Sequence, residues 1–314
     1  MRCTLTEGHA PGKAILLGEH AVVYGRPAIA VPVTQVQARA VVVDSPGLPG
    51  VTIHAEDIGQ VIDVASAASS EPLSATVRHT LAHIGVGLGN VQLEVRLCSS
   101  IPVAGGLGSG AAVATALVRA LSAHLSRLLD ATTISSIVYE TERLLHGTPS
   151  GIDNTTVVFE RPVYFCQGQP TRTLHVGRPF WLAIADTGVP SLTKAAVADV
   201  RAGVQQEPER YSRLFDEIGT LTDLGRKAIE EGRADALGPL MDENQCLLRQ
   251  LDVSSPELET LIAAARGGGA QGAKLCGGGR GGNVIALVQA PDADRVKVAC
   301  FAAGARNVFV TMVG

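Results

Sequence analysis

Lys13 opens the apolar stretch KAILLGE, and Glu19 and His20 follow it in PGKAILLGEHAVVYG. Glu142 falls on a helix-patterned segment, and Asp153 comes eleven residues later in HGTPSGIDN. A first glycine run, Ala104–Gly110 in SSIPVAGGLGSGAAV, leads straight into an apolar helix pattern. A second, GGGRGG at 277–282, joins two strand-patterned segments. Glycines allow backbone to approach a ligand, and amides at a helix N-terminus attract anions, so the first run suits a polyphosphate. A lysine and two carboxylates add what phosphoryl transfer asks for. One carboxylate can hold Mg²⁺, and the other can take a proton from an attacking hydroxyl.

Taken singly, each feature has a plainer reading. The first run also reads as a tight turn capped by Ser109. It is not a Walker A loop, because no Lys-Ser/Thr follows its last glycine, and G-x-G-x-x-G does not fit from Gly105 or Gly106. The second run fits that register at Gly277, Gly279 and Gly282, but a strand follows where a dinucleotide site needs a helix. Close approach to a ligand and a flexible loop both stay open there. Lys13 is either a positioned cation or a solvated one, and Glu19 with His20 either a structural pair or substrate contacts. Glu142 on a helix is ordinarily solvated, and Asp153 in a turn reads equally as an Asx-turn residue. Together, the set reads as a small-molecule kinase.

The elements that must position these groups follow from periodicity. Strands are predicted at KAILLGE, AIAVPVTQVQARAVVV, GVTIHAE and NVQLEVRLCSS, with a helix at TVRHTLAHIG. The first glycine run starts one helix, a second covers residues 134–145, HGTPSGIDN is irregular, and TTVVFERPVYF returns to strand. After a strand at FWLAIADTG, helices are predicted over 193–205, 207–231, 235–251 and 256–266. GAKLC and NVIALVQA flank the second glycine run, and a helix and a strand end the chain. The break at QGQPTRTLHVG divides 1–172 from 173–314, in keeping with two domains for 314 residues.

Composition narrows the class. The net charge is −4, with both signs interspersed, so neither nucleic acid nor a membrane surface is an expected partner. The N-terminus lacks signal-peptide order, and AAVATALVRALSAHL is interrupted too early to span a bilayer, which predicts a soluble, cytoplasmic protein. Six cysteines without CxxC spacing predict reduced thiols rather than a zinc site or disulfides.

Three blocks resemble the signature motifs of the GHMP kinases (galacto-, homoserine, mevalonate and phosphomevalonate kinases): PGKAILLGEHAVVYGRPAIA, IPVAGGLGSGAAV and KLCGGGRGGNVIAL. Their order matches the family, and GKAILLGEHAVVYG with ERLLHGTPSGIDN is most similar to its mevalonate branch. The resemblance implies an α+β, two-domain GHMP kinase fold, with an N-terminal domain like ribosomal protein S5 domain 2 and a ferredoxin-like C-terminal domain. It implies transfer of phosphate from ATP, with Mg²⁺, to the 5-hydroxyl of mevalonate, by a homodimer. Residue by residue, Ala104, Gly105, Gly106, Leu107, Gly108, Ser109 and Gly110 would wrap the ATP phosphates, with Ser99 nearby. Glu142 and Ser109 would hold Mg²⁺. Asp153 would take or orient the hydroxyl proton, and Lys13 would lower that hydroxyl's pKa and stabilise the transferring phosphoryl group. Glu19, His20, Thr193 and Gly279 would line the substrate pocket. The chain departs from the family twice: Gly110 stands where a second serine usually contacts Mg²⁺, and the third motif carries Arg280, which would either meet phosphate or point to solvent.

Overall fold

Alternation of apolar and polar side chains in QLEVRLCS gives a strand with one buried face, Gln92–Ser99. The same logic holds along most of the chain. The computed structural model describes residues 5–47, 49–102, 106–147 and 149–314, and only the backbone of His146. Ala104 and Gly105, expected at the nucleotide, lie outside the described residues.

The strands are β1 (Leu5–Leu17), β2 (Ala28–Asp44), β3 (Gly50–Ala55), β4 (Gln60–Asp63), β5 (Gln92–Ser99), β6 (Val163–Phe165), β7 (Arg172–Thr173), β8 (Phe180–Asp186), β9 (Gly272–Cys276), β10 (Asn283–Val288) and β11 (Asn307–Val313). The helices are α1 (Pro72–His83), α2 (Ser109–His124), α3 (Ala131–His146), α4 (Ile152–Phe159), α5 (Thr193–Gln206), α6 (Pro208–Glu230), α7 (Leu237–Gln250), α8 (Pro256–Gly267) and α9 (Ala293–Ala302). Contacts divide the chain into two units. The first is Met1–Gly12, Val36–Pro102 and Gly108–Glu160; the second is Lys13–Gln35, Val103–Leu107 and Arg161–Gly314.

In the first unit, the later half of β2 pairs antiparallel with β5 (Val42 opposite Val95), β5 pairs parallel with β3, and β3 pairs antiparallel with β4. Helices α1 to α4 pack on one another. Alanines 111, 112, 114, 116 and 120 of α2 are all buried, and these small side chains let neighbours approach its axis closely. In the second unit, β11-β8-β10-β9 form an antiparallel sheet, with Ile184 opposite Ile285 and Leu275 opposite Val284. Phe215, Ile218, Leu248, Leu258 and Val296 from α6 to α9 fill the core against it.

One segment overturns the periodicity. TTVVF was expected as strand, yet Ile152–Phe159 is helical, with Thr156, Val157 and Val158 buried. The β-branched residues favour strand only weakly, and packing of α4 on α2 and α3 outweighs that preference. Asp153 therefore sits in the first turn of a helix, not in an irregular loop.

Candidate functional site

The first unit carries a helix end and two carboxylates. Side chains cap the N-termini of α1 (Glu71), α3 (Asp130) and α8 (Ser255). Among the described residues α2 has no such cap: Gly108, in the left-handed region, precedes Ser109, the first helical residue. Helices α4, α5, α6, α7 and α9 lack a side-chain cap as well, so what sets the α2 N-terminus apart is the glycine run that leads into it; the helix dipole makes that end favourable for an anion.

Glu142 of α3 is almost fully buried, and its Oε1 lies 2.9 Å from where a β-carbon on Gly110 would sit. The missing side chain is what makes room for the carboxylate beside the first turn of α2. A negative charge there is favoured by the dipole. Asp153 is half-buried in the first turn of α4, and that turn is tied to α3 by Asn154, whose Nδ2 donates to Ser135 O (3.1 Å) and Ser135 Oγ (2.8 Å). Ser135 and Glu142, seven residues apart, share one face of α3, so this helix carries one carboxylate and anchors the turn that bears the other. Thr141, beside Glu142, is in turn fixed to Thr76 of α1 by a buried hydroxyl pair at 2.6 Å.

Among the described residues, no group of three or more His, Cys, Asp or Glu could hold a metal alone. A buried carboxylate at a helix N-terminus does fit Mg²⁺, which is characteristically held by one or two carboxylates together with substrate phosphates and water. Ser109, half-buried at the start of α2, adds a hydroxyl to the same turn. Ser99 ends β5, where its Oγ accepts from Ile101 N (3.2 Å) and its amide donates to Asp57, so this hydroxyl serves a local turn.

The second unit carries Lys13 and the other glycine run. Lys13 is buried on β1, and its amide donates to Leu107 O at 2.9 Å, joining the strand to the first glycine run. Glu19 and His20 follow in a tight turn, both buried, with His20 at φ 61°. His20 Nε2 donates to Gly278 O (3.1 Å). Burial pushes its pKa down to about 4, so the imidazole is neutral near pH 7.

The second run is braced at several points. Ser191 Oγ donates to Gly279 O (3.1 Å) and lies 3.0 Å from Thr193 Oγ1. Thr187 Oγ1 donates to Gly282 O (2.8 Å). A β-carbon on Gly279 would come within 2.0 Å of Val253 O, so backbone packs directly on backbone. Arg280 neither meets solvent alone nor stands free for phosphate. It pairs with Asp199 of α5 and donates to Asp252 O at 3.0 and 3.1 Å.

Four residues escaped the sequence reading: Asn154, Ser191, Asn244 and Lys274. Lys274 had a usable signal, since a lysine in mid-strand directly before a glycine run must either reach solvent or find a buried partner. The others become visible only through their partners.

Family models for the GHMP kinases match at both ends: the N-terminal domain at residues 72–161 and the C-terminal one at 226–306. The chain is 35% identical over 294 residues to a mevalonate kinase of Pyrococcus abyssi, covering 88% of this chain and 87% of that protein. Its fold superposes on L. major mevalonate kinase in complex with R-mevalonate with a TM-score of 0.86 and 28% identity, over 99% of this chain and 96% of that one. Streptococcus pneumoniae phosphomevalonate kinase shares the fold alone, with a TM-score of 0.81 at 17% identity over 98% and 99% of the two chains.

Proposed function

The chain belongs to the GHMP kinase family, and from that premise we propose that it transfers the γ-phosphoryl group of ATP to the 5-hydroxyl of (R)-mevalonate. Family members use ATP, and the two-domain GHMP kinase fold expected from the motifs, read as α+β, is the mixed fold of helices and sheets found. The observation that carries the substrate is the near-full-length identity to mevalonate kinases. Fold by itself does not separate mevalonate from phosphomevalonate as acceptor, because enzymes for both share it. A phosphorylated acceptor needs a further cation, and the engagement of Arg280 by Asp199 and Asp252 speaks for the unphosphorylated substrate.

In this reading the amides of Gly106–Gly110 at the head of α2 cradle the ATP phosphates, and Ser99 flanks them. Glu142 and Ser109 are the side chains that would hold Mg²⁺, which when bound neutralises phosphate charge. Asp153 accepts or orients the proton of the 5-hydroxyl, which makes that oxygen the nucleophile. Lys13 lowers the hydroxyl pKa and stabilises negative charge on the phosphoryl group in flight. Thr193 and Gly279 face the substrate. The division at residues 172/173, assembly as a homodimer and a cytoplasmic location belong to the same proposal. Among the described residues no helix is long and apolar enough to cross a membrane.

A coupled ADP-release assay across mevalonate, phosphomevalonate, galactose and homoserine tests the reading. Turnover of mevalonate well above the other three is expected; preference for any other acceptor replaces the substrate assignment.

A further inference from the structure

Lys274 is wholly buried on β9, in the strand that leads into the second glycine run. An ammonium removed from water is costly unless it is paired and hydrogen-bonded. Its Nζ donates to Glu19 Oε1 and to Leu275 O (2.6 Å), and Asn244 Nδ2 donates to Glu19 Oε2 (3.4 Å). Two further links tie the same two segments. Cys276 Sγ donates to Ile15 O (3.4 Å), and His20 Nε2 donates to Gly278 O. Residues 15–20 and 274–278 are therefore zipped together by three side chains. Their partners stand 255 to 261 positions apart in sequence.

A buried ion pair adds little net stability over a well-packed apolar pair, so stability alone does not account for this one. What it does supply is register. A single geometry satisfies the ammonium, the carboxylate and the Leu275 carbonyl at once, and it sets where His20 meets Gly278. We propose that Lys274 is a positioning residue for phosphoryl transfer: it holds the Glu19 carboxylate, and thereby the 15–20 turn and the second glycine run, in the working arrangement. Glu19 is thus a structural anion spent on Lys274 rather than a direct ligand of the substrate. The kinetic part of this inference rests on the mevalonate-kinase reading.

The test is a double-mutant cycle on the full-length protein, with Glu19→Gln, Lys274→Gln and both together. kcat and KM for mevalonate are taken per folded molecule, and hydrogen–deuterium exchange is followed across 272–283. Each single variant is expected to lose kcat by roughly 30-fold with KM little changed, and to speed exchange of the run. Recovery of about tenfold in the double variant is then expected, within the coupling range of contacting residues. Three outcomes overturn the proposal. One is a lowered melting temperature with wild-type kcat and exchange, as a purely structural pair would give. Another is raised KM with unchanged kcat in Glu19→Gln, and the third is no recovery in the double variant. Where a single variant does not fold, Lys274→Arg keeps the charge but changes its reach; reduced kcat supports the proposal and wild-type kcat refutes it. If the wild-type protein turns over no mevalonate, the substrate reading fails, and the exchange pattern still decides positioning.

Discussion

At Gly106 and Gly110 glycine leaves space for open surface or a carboxylate, whereas at Gly279 and Gly281 it lets backbone meet backbone. Among the described residues a β-carbon on Gly106 would touch nothing within 4 Å, and one on Gly110 would enter the place taken by the Glu142 carboxylate. A β-carbon on Gly279 would instead strike the Val253 carbonyl, and carbonyls of the same run are occupied by His20, Ser191 and Thr187. The first run thus ends at a helix N-terminus without a side-chain cap, which the proposed function gives to the ATP phosphates. The second has three of its carbonyls and the amides of Arg280 and Gly282 already bonded within the protein. Glycine content alone does not separate a ligand cradle from a braced wall. The distinction lies in whether the backbone groups are already satisfied.

If this contrast is right, changes near the first run should damage chemistry, and changes in the second should damage architecture. Asp153→Ala tests the chemical side most severely. Turnover should fall on the order of 10³-fold, in the range of a lost general base, while ADP affinity by calorimetry stays near wild type. Survival of activity would remove the base assignment. Gly279→Ala tests the architectural side. The collision with Val253 O and the forced positive φ should cost on the order of 3 kcal/mol in urea unfolding.

His20 adds a pH signature to the braced run. Its folded pKa of about 4 lies below the ordinary 6.5, so the unfolded chain binds the extra proton first. Stability from this group is complete above pH 6.5 and is lost as pH falls toward 4, by about 3 kcal/mol in all. Chemical melts at pH 7 and pH 5 should show that slope, and His20→Gln should flatten it.

Gly110→Ser probes the first run more gently. The new side chain must displace Glu142, so the Mg²⁺ concentration for half-maximal turnover should rise roughly tenfold, typical of disturbed metal support. An unchanged requirement would mean that the carboxylate position is not critical. The smallest effect is expected for Gly106→Ala, about 1 kcal/mol of stability for a left-handed alanine, with a measurable loss of nucleotide affinity.

Local pattern made much of this molecule readable. The run from Ser109 to His124, the helices from Thr193 to Gly267 and the strands on either side of the second glycine run follow from periodicity and from glycine and proline punctuation. Those signals act over a few residues, within reach of one turn or one strand. The motif blocks likewise carried Lys13, Glu142 and Asp153 into one hypothesis, because spacing along the chain is retained in sequence. Tertiary structure decided the rest. TTVVF became helix because packing on α2 and α3 outweighs a weak strand preference. Gly110 is explained only by a carboxylate arriving from α3, and Lys274 only by Glu19, far away in sequence. Such pairings depend on which buried polar groups meet when the chain closes on itself. No window of local sequence contains both partners, so their energetics stay hidden until the fold brings them together.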